Sequence, residues 1–326
     1  MKAVRIHEDG GPDVLRYEDV EDPVAGEGEI LIRLRAASLN HLDCWIRQGL
    51  PSVPKPRTLG ADGAGIVEAL GAGADRVAEG DRVVINPGLD DGARIVGEHM
   101  DGTHAELVAV PAENVYPIPD GLSFEEAAAF PLVFETAYRM LVTKAAVQPD
   151  EWVLVWGIGS GVASASFAIA RALGARTIVT SSSGEKLERA EELGADAVVN
   201  HADGDVAGAV KEVTEGRGVD VVVEHVGDAT WKTSLQAAGP NARIVVCGAT
   251  SGPNPPAQLH RIWWKQLTVY GSTMGTKEDF EGAYELVARG KAKPIVDRVF
   301  PLEEAAAAHA YLEEGRQFGK VVLSIP

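Results

Sequence analysis

Apolar residues fall into two rhythms along this chain. Up to about Asp120 they come in short runs separated by Gly and Pro, as in EILIRLRAASL, AGIVEALG, DRVVINPG and AELVAVPAENVYPIP. That pattern predicts short strands in an irregular, mostly β domain. From Ser123 the spacing becomes helical in SFEEAAAFPLVFETAYRMLV, with Ser123 and Glu126 set as in a capping box. The change of rhythm predicts a domain boundary between 122 and 123.

Beyond it, strand-like and helix-like segments take turns: EWVLVWG, GVASASFAIARALGA, RTIVTSS, EKLERAEELGA, DAVVN, DVAGAVKEVTE, VDVVVEH, DATWKTSLQAA, ARIVVCG and LTVYGS. The strands are continuous Val/Ile runs, as expected when both faces of a sheet are covered. The alternation therefore predicts an α/β, doubly wound parallel sheet with right-handed crossovers. The tail offers a helix, KEDFEGAYELVARG, a strand, VDRVFP, a helix, LEEAAAAHAYLEEG, and a last strand, KVVLSIP. The expected divisions are 1–122, 123–274 and 275–326, without internal repeats.

Composition narrows the class. A length of 326 residues is too great for one ordinary core, and 45% hydrophobic with 24% charged residues fits a globular protein. There is no apolar run of about 18 residues, and Lys2 and Arg5 interrupt any secretory signal. The expected location is the cytoplasm, without a membrane partner. Thirty Lys and Arg against 48 Asp and Glu give a net charge of −18. Such a surface repels a phosphate backbone and argues against nucleic acid. Cys44 and Cys247 stand alone, which argues for a reducing compartment and against zinc held by several thiolates.

The run VLVW leads into Gly157-Ile158-Gly159-Ser160-Gly161-Val162-Ala163 and then a helix. A dinucleotide fingerprint needs this context, because backbone must approach a pyrophosphate at a helix N-terminus. Gly159, Ser160, Gly161 and Val162 are the expected contacts. An NAD site places Asp or Glu about 20 residues on, at the end of the second strand. Here stand Ser181, Ser182 and Ser183, followed by Lys186. Hydroxyls and an ammonium suit a 2′-phosphate, although Glu185 opposes it and a solvated loop with Ser183 starting a helix is the plain alternative. The expected cofactor is NADPH in preference to NADH.

At this point the chain resembles the medium-chain dehydrogenase/reductase superfamily, in its zinc-free quinone oxidoreductase-like branch. The matching stretches run from MKAVRI to FGKVVL and include LNHLDCWIRQG, GADGAGIVEALG, GDRV, GTHAELV, LSFEEAAAFPLVFETAY, GSGV and KQLTVYGSTMGT. The resemblance implies a GroES-like β-barrel catalytic domain built from both ends of the chain, with a Rossmann domain inserted. It implies cofactor contacts from Thr136; from His225, Val226 and Gly227; from Cys247, Gly248 and Ala249; from Ser272, Thr273 and Met274; and from Gly319 and Lys320. In zinc-dependent relatives the ligands fall at positions matching or near Asn40, Ala61 and Pro131, and a carboxamide, a methyl and a ring do not build an open zinc site. No metal is expected. His41, His99, His104, Asp43 and Asp62 are set aside as a metal cluster, because polar residues of a glycine-flanked loop are usually solvated or hydrogen-bonded. Cys44 is expected to pack.

Without a Lewis acid, alcohol–aldehyde chemistry loses its main assistance. A quinone or enone takes hydride more easily, spreading charge to an oxygen that hydrogen-bond donors can hold. The expected activity is NADPH-dependent reduction of such a conjugated carbonyl. The candidate catalytic set is Asn40, Asp43, Trp45 and Asp62. An enoyl-thioester reductase and a non-catalytic NADPH-binding protein are the alternatives. The resemblance also implies a homodimer through the last Rossmann strand, near Trp263 and Trp264.

Overall fold

The Val/Ile runs of the middle of the chain pair as one parallel sheet. Its strands are β1 (Trp152–Val155), β2 (Arg176–Ser181), β3 (Ala197–Asn200), β4 (Val219–Glu224), β5 (Ala238–Val246) and β6 (Thr268–Gly271), in the order β3-β2-β1-β4-β5-β6. All neighbours are parallel. The order reverses between β1 and β4, as in a Rossmann fold. Val153, Leu154 and Val155 on β1 and Val221, Val222 and Val223 on β4 are fully buried, each such side chain contributing about 1.5–3 kcal/mol. Helices covering both faces explain the absence of a polar alternation.

The computed structural model describes residues 1–326 and divides into two units, Met1–Val133 with Pro294–Pro326, and Phe134–Lys293. The divisions fall later than the change of sequence rhythm, for two reasons. The helix Phe124–Ala128 packs on the barrel, with Ser38 Oγ donating to Ala128 O at 2.8 Å. The helix Lys277–Ala288 belongs with the Rossmann unit, because its Asp279 accepts from Arg139 Nη1 at 3.1 Å and from Thr143 Oγ1.

The expected single helix after Ser123 is also broken. Ser123 does cap it, accepting from Glu126 N at 3.2 Å while its own N–H reaches Glu126 Oε2 at 2.9 Å. But Phe124–Ala128 stops, Pro131–Tyr138 starts afresh, and a π-helical turn follows at Arg139–Lys144. Pro131 lacks an N–H and cannot continue a helix, whereas its fixed φ suits a first helical position.

In the first unit the long strand Glu29–Ser38 is the hub. It pairs antiparallel with Asp62–Leu70 on one side and with Leu107–Pro111 and Lys320–Ser324 on the other. The sheet runs on through Arg82–Ile85 and Val115–Pro117 at one end and Val296–Pro301 at the other. Ile30, Ile32 and Leu34 point into a core shared with Val67, Val83, Val108, Val321 and Leu323. Register sets the functional geometry: Ser38 faces both Asp62 and Val322.

Candidate functional site

Residues just past Ser38 leave the sheet still in reach of both neighbours. Leu39 N donates to Val321 O at 2.9 Å, and Asn40 then starts the helix His41–Arg47. A buried polar cluster results. Lys320 Nζ lies 2.5 Å from Asn40 Oδ1 and 3.1 Å from Asp62 Oδ2, and Asn40 Nδ2 donates to the same Asp62 oxygen at 2.9 Å. The ammonium cannot accept, so it fixes the orientation of the amide. Asp62 Oδ1 accepts from Leu132 N at 2.9 Å, an N–H that the helix begun at Pro131 leaves without an intrahelical partner. Asp62 is 0%, Lys320 3% and Asn40 5% exposed, so this is an ion pair removed from water.

Asp43 forms the floor beneath it. Its carboxylate takes Asn40 N at 2.7 Å and Gly60 N at 3.0 Å. Burial pushes its pKa up to about 7, the Asp62 charge adding to the rise, while the two backbone donors and Lys320 hold it down. Gly60 has φ +99, and a Cβ there would lie 2.4 Å from His104 Cδ2, so the glycine two residues before Asp62 is required by both conformation and space. His104 is fully buried, and burial first, then the Lys320 charge, pushes its pKa down to about 3. It is a neutral imidazole.

Other expected residues stand apart from this cluster. Trp45 is half-buried, its ring 6.3 Å from that of His41 one turn earlier, and none of the cluster's hydrogen bonds involves it. Cys44 is packed, with Sγ 3.6 Å from His309 Nδ1, and burial raises its thiol pKa. His99 Nδ1 accepts from Ile95 N at 3.1 Å within its own loop. No group of three or more His, Cys, Asp or Glu side chains is arranged to hold a metal ion. Ser38 and the backbone N–H groups of Gly60 and Leu132 were not singled out from sequence. Nor was the partnership of Lys320 with Asn40, for which sheet register was the available signal.

In the Rossmann unit the expected cofactor residues gather at the carboxyl edge of the sheet. Gly157, at φ +57, lies just past β1, and its N–H reaches Thr180 Oγ1 at 3.1 Å. Ser160 caps the helix Gly161–Ala172, accepting from Ala163 N at 3.2 Å, and Gly159 and Val162 flank that cap. The helix has no acidic residue in its first turn. Ser181 closes β2, its Oγ accepting from Ser183 N at 3.1 Å. Ser182 is exposed, and Ser183 caps the helix that carries Lys186. His201, not anticipated, joins this loop through Nδ1, 3.1 Å from Thr180 Oγ1.

His225, Val226 and Gly227 follow β4. They are held by Glu224, a fully buried carboxylate also not anticipated. It accepts from Val226 N at 2.9 Å, Gly227 N at 3.1 Å, Thr230 Oγ1 at 2.8 Å and Ser234 Oγ at 2.6 Å. Cys247, Gly248 and Ala249 follow β5, the Cys247 thiol pushed up to about 12 by burial. Ser272, Thr273 and Met274 follow β6, with Ser272 N on Val246 O at 2.9 Å. Thr136 lies on the helix Pro131–Tyr138 and is 7% exposed. Gly319 and Lys320 lie in the barrel unit, not on this edge.

These residues fit a nicotinamide dinucleotide. A helix of 12 residues opens at a glycine loop with no carboxylate in its first turn, which presents backbone N–H groups and the positive end of the helix dipole to a pyrophosphate. The end of β2 carries hydroxyls where a carboxylate would repel a 2′-phosphate.

Comparison with known proteins supports a dehydrogenase fold. Residues 26–120 match the alcohol dehydrogenase GroES-like domain and residues 161–289 the zinc-binding dehydrogenase family. A quinone oxidoreductase of Pseudomonas aeruginosa is 33% identical, covering 99% of each chain. A solved structure described as an NAD-dependent alcohol dehydrogenase is 44% identical over 100% of both chains, with a TM-score of 0.97. The quinone oxidoreductase of Pseudomonas syringae pv. tomato is 33% identical over 99% of both, with a TM-score of 0.87. With the barrel, the Rossmann order and these full-length matches together, the chain belongs to the medium-chain dehydrogenase/reductase superfamily, in its quinone oxidoreductase-like branch.

Proposed function

We propose that this oxidoreductase uses NADPH to reduce a quinone or another conjugated carbonyl, without zinc. One observation carries the reading: a lysine side chain lies against Asn40 and Asp62, where the family resemblance implies that Asn40, with Ala61 and Pro131, stands at or near positions that hold zinc in zinc-dependent relatives. The bound nicotinamide would supply the hydride. Asp62 balances the charge of Lys320, and Asn40, whose amide is bonded on both sides, holds it in place. Lys320 has three N–H groups and gives two to Asn40 and Asp62. The third is the donor we assign to the oxygen on which negative charge develops, where an oriented donor acts without reorganisation. Preference for the 2′-phosphate is assigned to Ser181, Ser182, Ser183 and Lys186.

The test is NADPH oxidation with 9,10-phenanthrenequinone, 1,4-benzoquinone and a simple enone, on protein assayed for zinc and treated with chelator. Turnover that survives chelation supports the reading. Zinc at one per chain, lost together with activity, overturns it.

We further propose a homodimer. The edge strand β6 pairs only with β5, leaving Val269 42% exposed, and beside it Trp263 and Trp264 are 64% and 76% exposed. An open edge flanked by large apolar side chains is a surface that proteins usually cover.

A further inference from the structure

The stretch that carries Asp62 is gripped from outside the sheet. Asp62 opens the strand Asp62–Leu70, and the neighbouring strand Arg82–Ile85 pairs only with Ala64, Gly65 and Ile66, stopping short of it. A buried backbone carbonyl beyond the end of a ladder needs another donor. Thr103 supplies one: its Oγ1 donates to Asp62 O at 2.7 Å, and the residue is fully buried. The segment around it is laced to the residues before Asp62. Gly102 N donates to Thr58 O, Thr103 N to Gly60 O and His104 N to Leu59 O, each at 2.9 Å.

Two glycines of GADGAG shape the slot that takes the threonine. A Cβ on Gly60 would stand 2.6 Å from Thr103 Oγ1, and a Cβ on Gly63 would stand 2.8 Å from Thr103 Cγ2. Both distances are well inside van der Waals contact. The hydroxyl therefore lies against Gly60 and the methyl against Gly63, and a β-branched side chain seated on both arms is held in one rotamer. That rotamer aims the hydroxyl at Asp62 O.

The grip matters because of what the Asp62 side chain holds. Its Oδ2 lies 3.1 Å from Lys320 Nζ, 2.9 Å from Asn40 Nδ2 and 3.1 Å from Ser38 Oγ. A shift of the Asp62 main chain carries this oxygen, and Lys320 with it, and a misplacement of about 1 Å costs a reaction up to about a hundredfold in rate.

We propose that Thr103 is a positioning residue of the barrel cluster: its hydroxyl, seated between Gly60 and Gly63, fixes the main chain of Asp62 and, through the Asp62 carboxylate, the place of Lys320 Nζ. The proposal rests on the reading that Lys320 donates to the oxygen on which negative charge develops. Thr103 acts through Asp62 and is assigned no contact with substrate.

The experiment measures steady-state kinetics with 9,10-phenanthrenequinone as acceptor, together with the NADPH dissociation constant by calorimetry. The proteins are wild type, Thr103→Val, Thr103→Ser, Lys320→Met and the double variant Thr103→Val/Lys320→Met. Val keeps the shape and loses the hydroxyl; Ser keeps the hydroxyl. Thr103→Val should lower kcat by about tenfold with the NADPH constant unchanged, and Thr103→Ser should stay within about twofold of wild type. In the Lys320→Met background Thr103→Val should cost nothing further, because the group it positions is gone, whereas a merely structural role costs the same in both backgrounds. An unimpaired Thr103→Val beside a slow Lys320→Met overturns the positioning role alone. So does an equal loss in both backgrounds, or a Ser variant as slow as Val. A wild type without turnover, or a Lys320→Met protein with full turnover, overturns the donor reading itself. Should Thr103→Val fold poorly, Thr103→Ala, which sets no methyl against Asp62 O, takes its place under the same expectations.

Discussion

Replacing Lys320 with Met removes the one cation of the barrel cluster while keeping an unbranched side chain of similar length. Asp62, 0% exposed, then loses its ion-pair partner at 3.1 Å, and Asn40 Oδ1 loses a donor at 2.5 Å. Breaking a buried pair from one side costs about 3–5 kcal/mol. Asp62 keeps Asn40 Nδ2 and Leu132 N, so a loss near the lower end, about 3 kcal/mol, is expected. Adding Asp62→Asn removes the stranded charge, and a coupling of about 2 kcal/mol should return, since contacting groups are not additive. Asp43 adds a pH signature. Its folded pKa of about 7 lies above the ordinary aspartate value of 3.8, so the folded state holds the extra proton, and stability falls as pH rises through that window. Lys320 is one of the groups holding that pKa down. In Lys320→Met the fall therefore continues above pH 7, and the gap to wild type should widen between about pH 6 and 8. Urea unfolding followed by circular dichroism at each pH, for wild type, both single variants and the double variant, measures this. A Lys320→Met protein within 1 kcal/mol of wild type, or strictly additive variants, would refute the account of a buried, mutually dependent pair.

Three further outcomes follow from other residues. Ser181→Asp should reverse or erase the preference for NADPH over NADH in binding assays. The new carboxylate can still accept from Ser183 N, as Ser181 Oγ does at 3.1 Å, so a loss of fold is not expected; equal NADPH and NADH constants in the parent protein would remove the 2′-phosphate assignment. Asn40→Ala should lower kcat/KM for a quinone by about tenfold or more with little change in NADPH affinity, because it releases the Lys320 ammonium; full turnover would reduce Asn40 to a helix-capping residue. Trp264→Glu, at a position 76% exposed, should shift the mass seen by light scattering from dimer to monomer, and a parent protein already monomeric would end the dimer reading.

How much of this was legible in the sequence depended on how local the cause was. Each Rossmann strand announced itself, because a run such as VDVVVE is apolar on both faces only when both faces are covered. The capping box at Ser123 was equally local and held. The helix beyond it was read straight through Pro131, although the physical reason for a break stood in the sequence. The boundaries moved for a less local reason. Residues 123–133 look helical but pack on the barrel through Ser38 and Asp62, and composition cannot show which core a helix joins.

The barrel cluster is the extreme case. Lys320 is 280 positions from Asn40 and 258 from Asp62, and nothing in FGKVVL points to either. Sheet order supplies the link. Glu29–Ser38 pairs antiparallel with both the strand that begins at Asp62 and the strand that begins at Lys320. In such a pair the partner numbers have a constant sum, and Ser38 opposite Val322 gives 38 + 322 = 360. Two residues on, Asn40 falls opposite Lys320, since 40 + 320 is again 360, and the observed contact at 2.5 Å is that continuation. With Ser38 also opposite Asp62, an amide, a carboxylate and an ammonium are brought to one end of a three-strand ladder. A one-residue slip of either pairing would turn its side chains to the other face. The charge pair at the centre of the proposed chemistry is therefore a consequence of strand register, and it becomes readable only once the central strand's two neighbours are known.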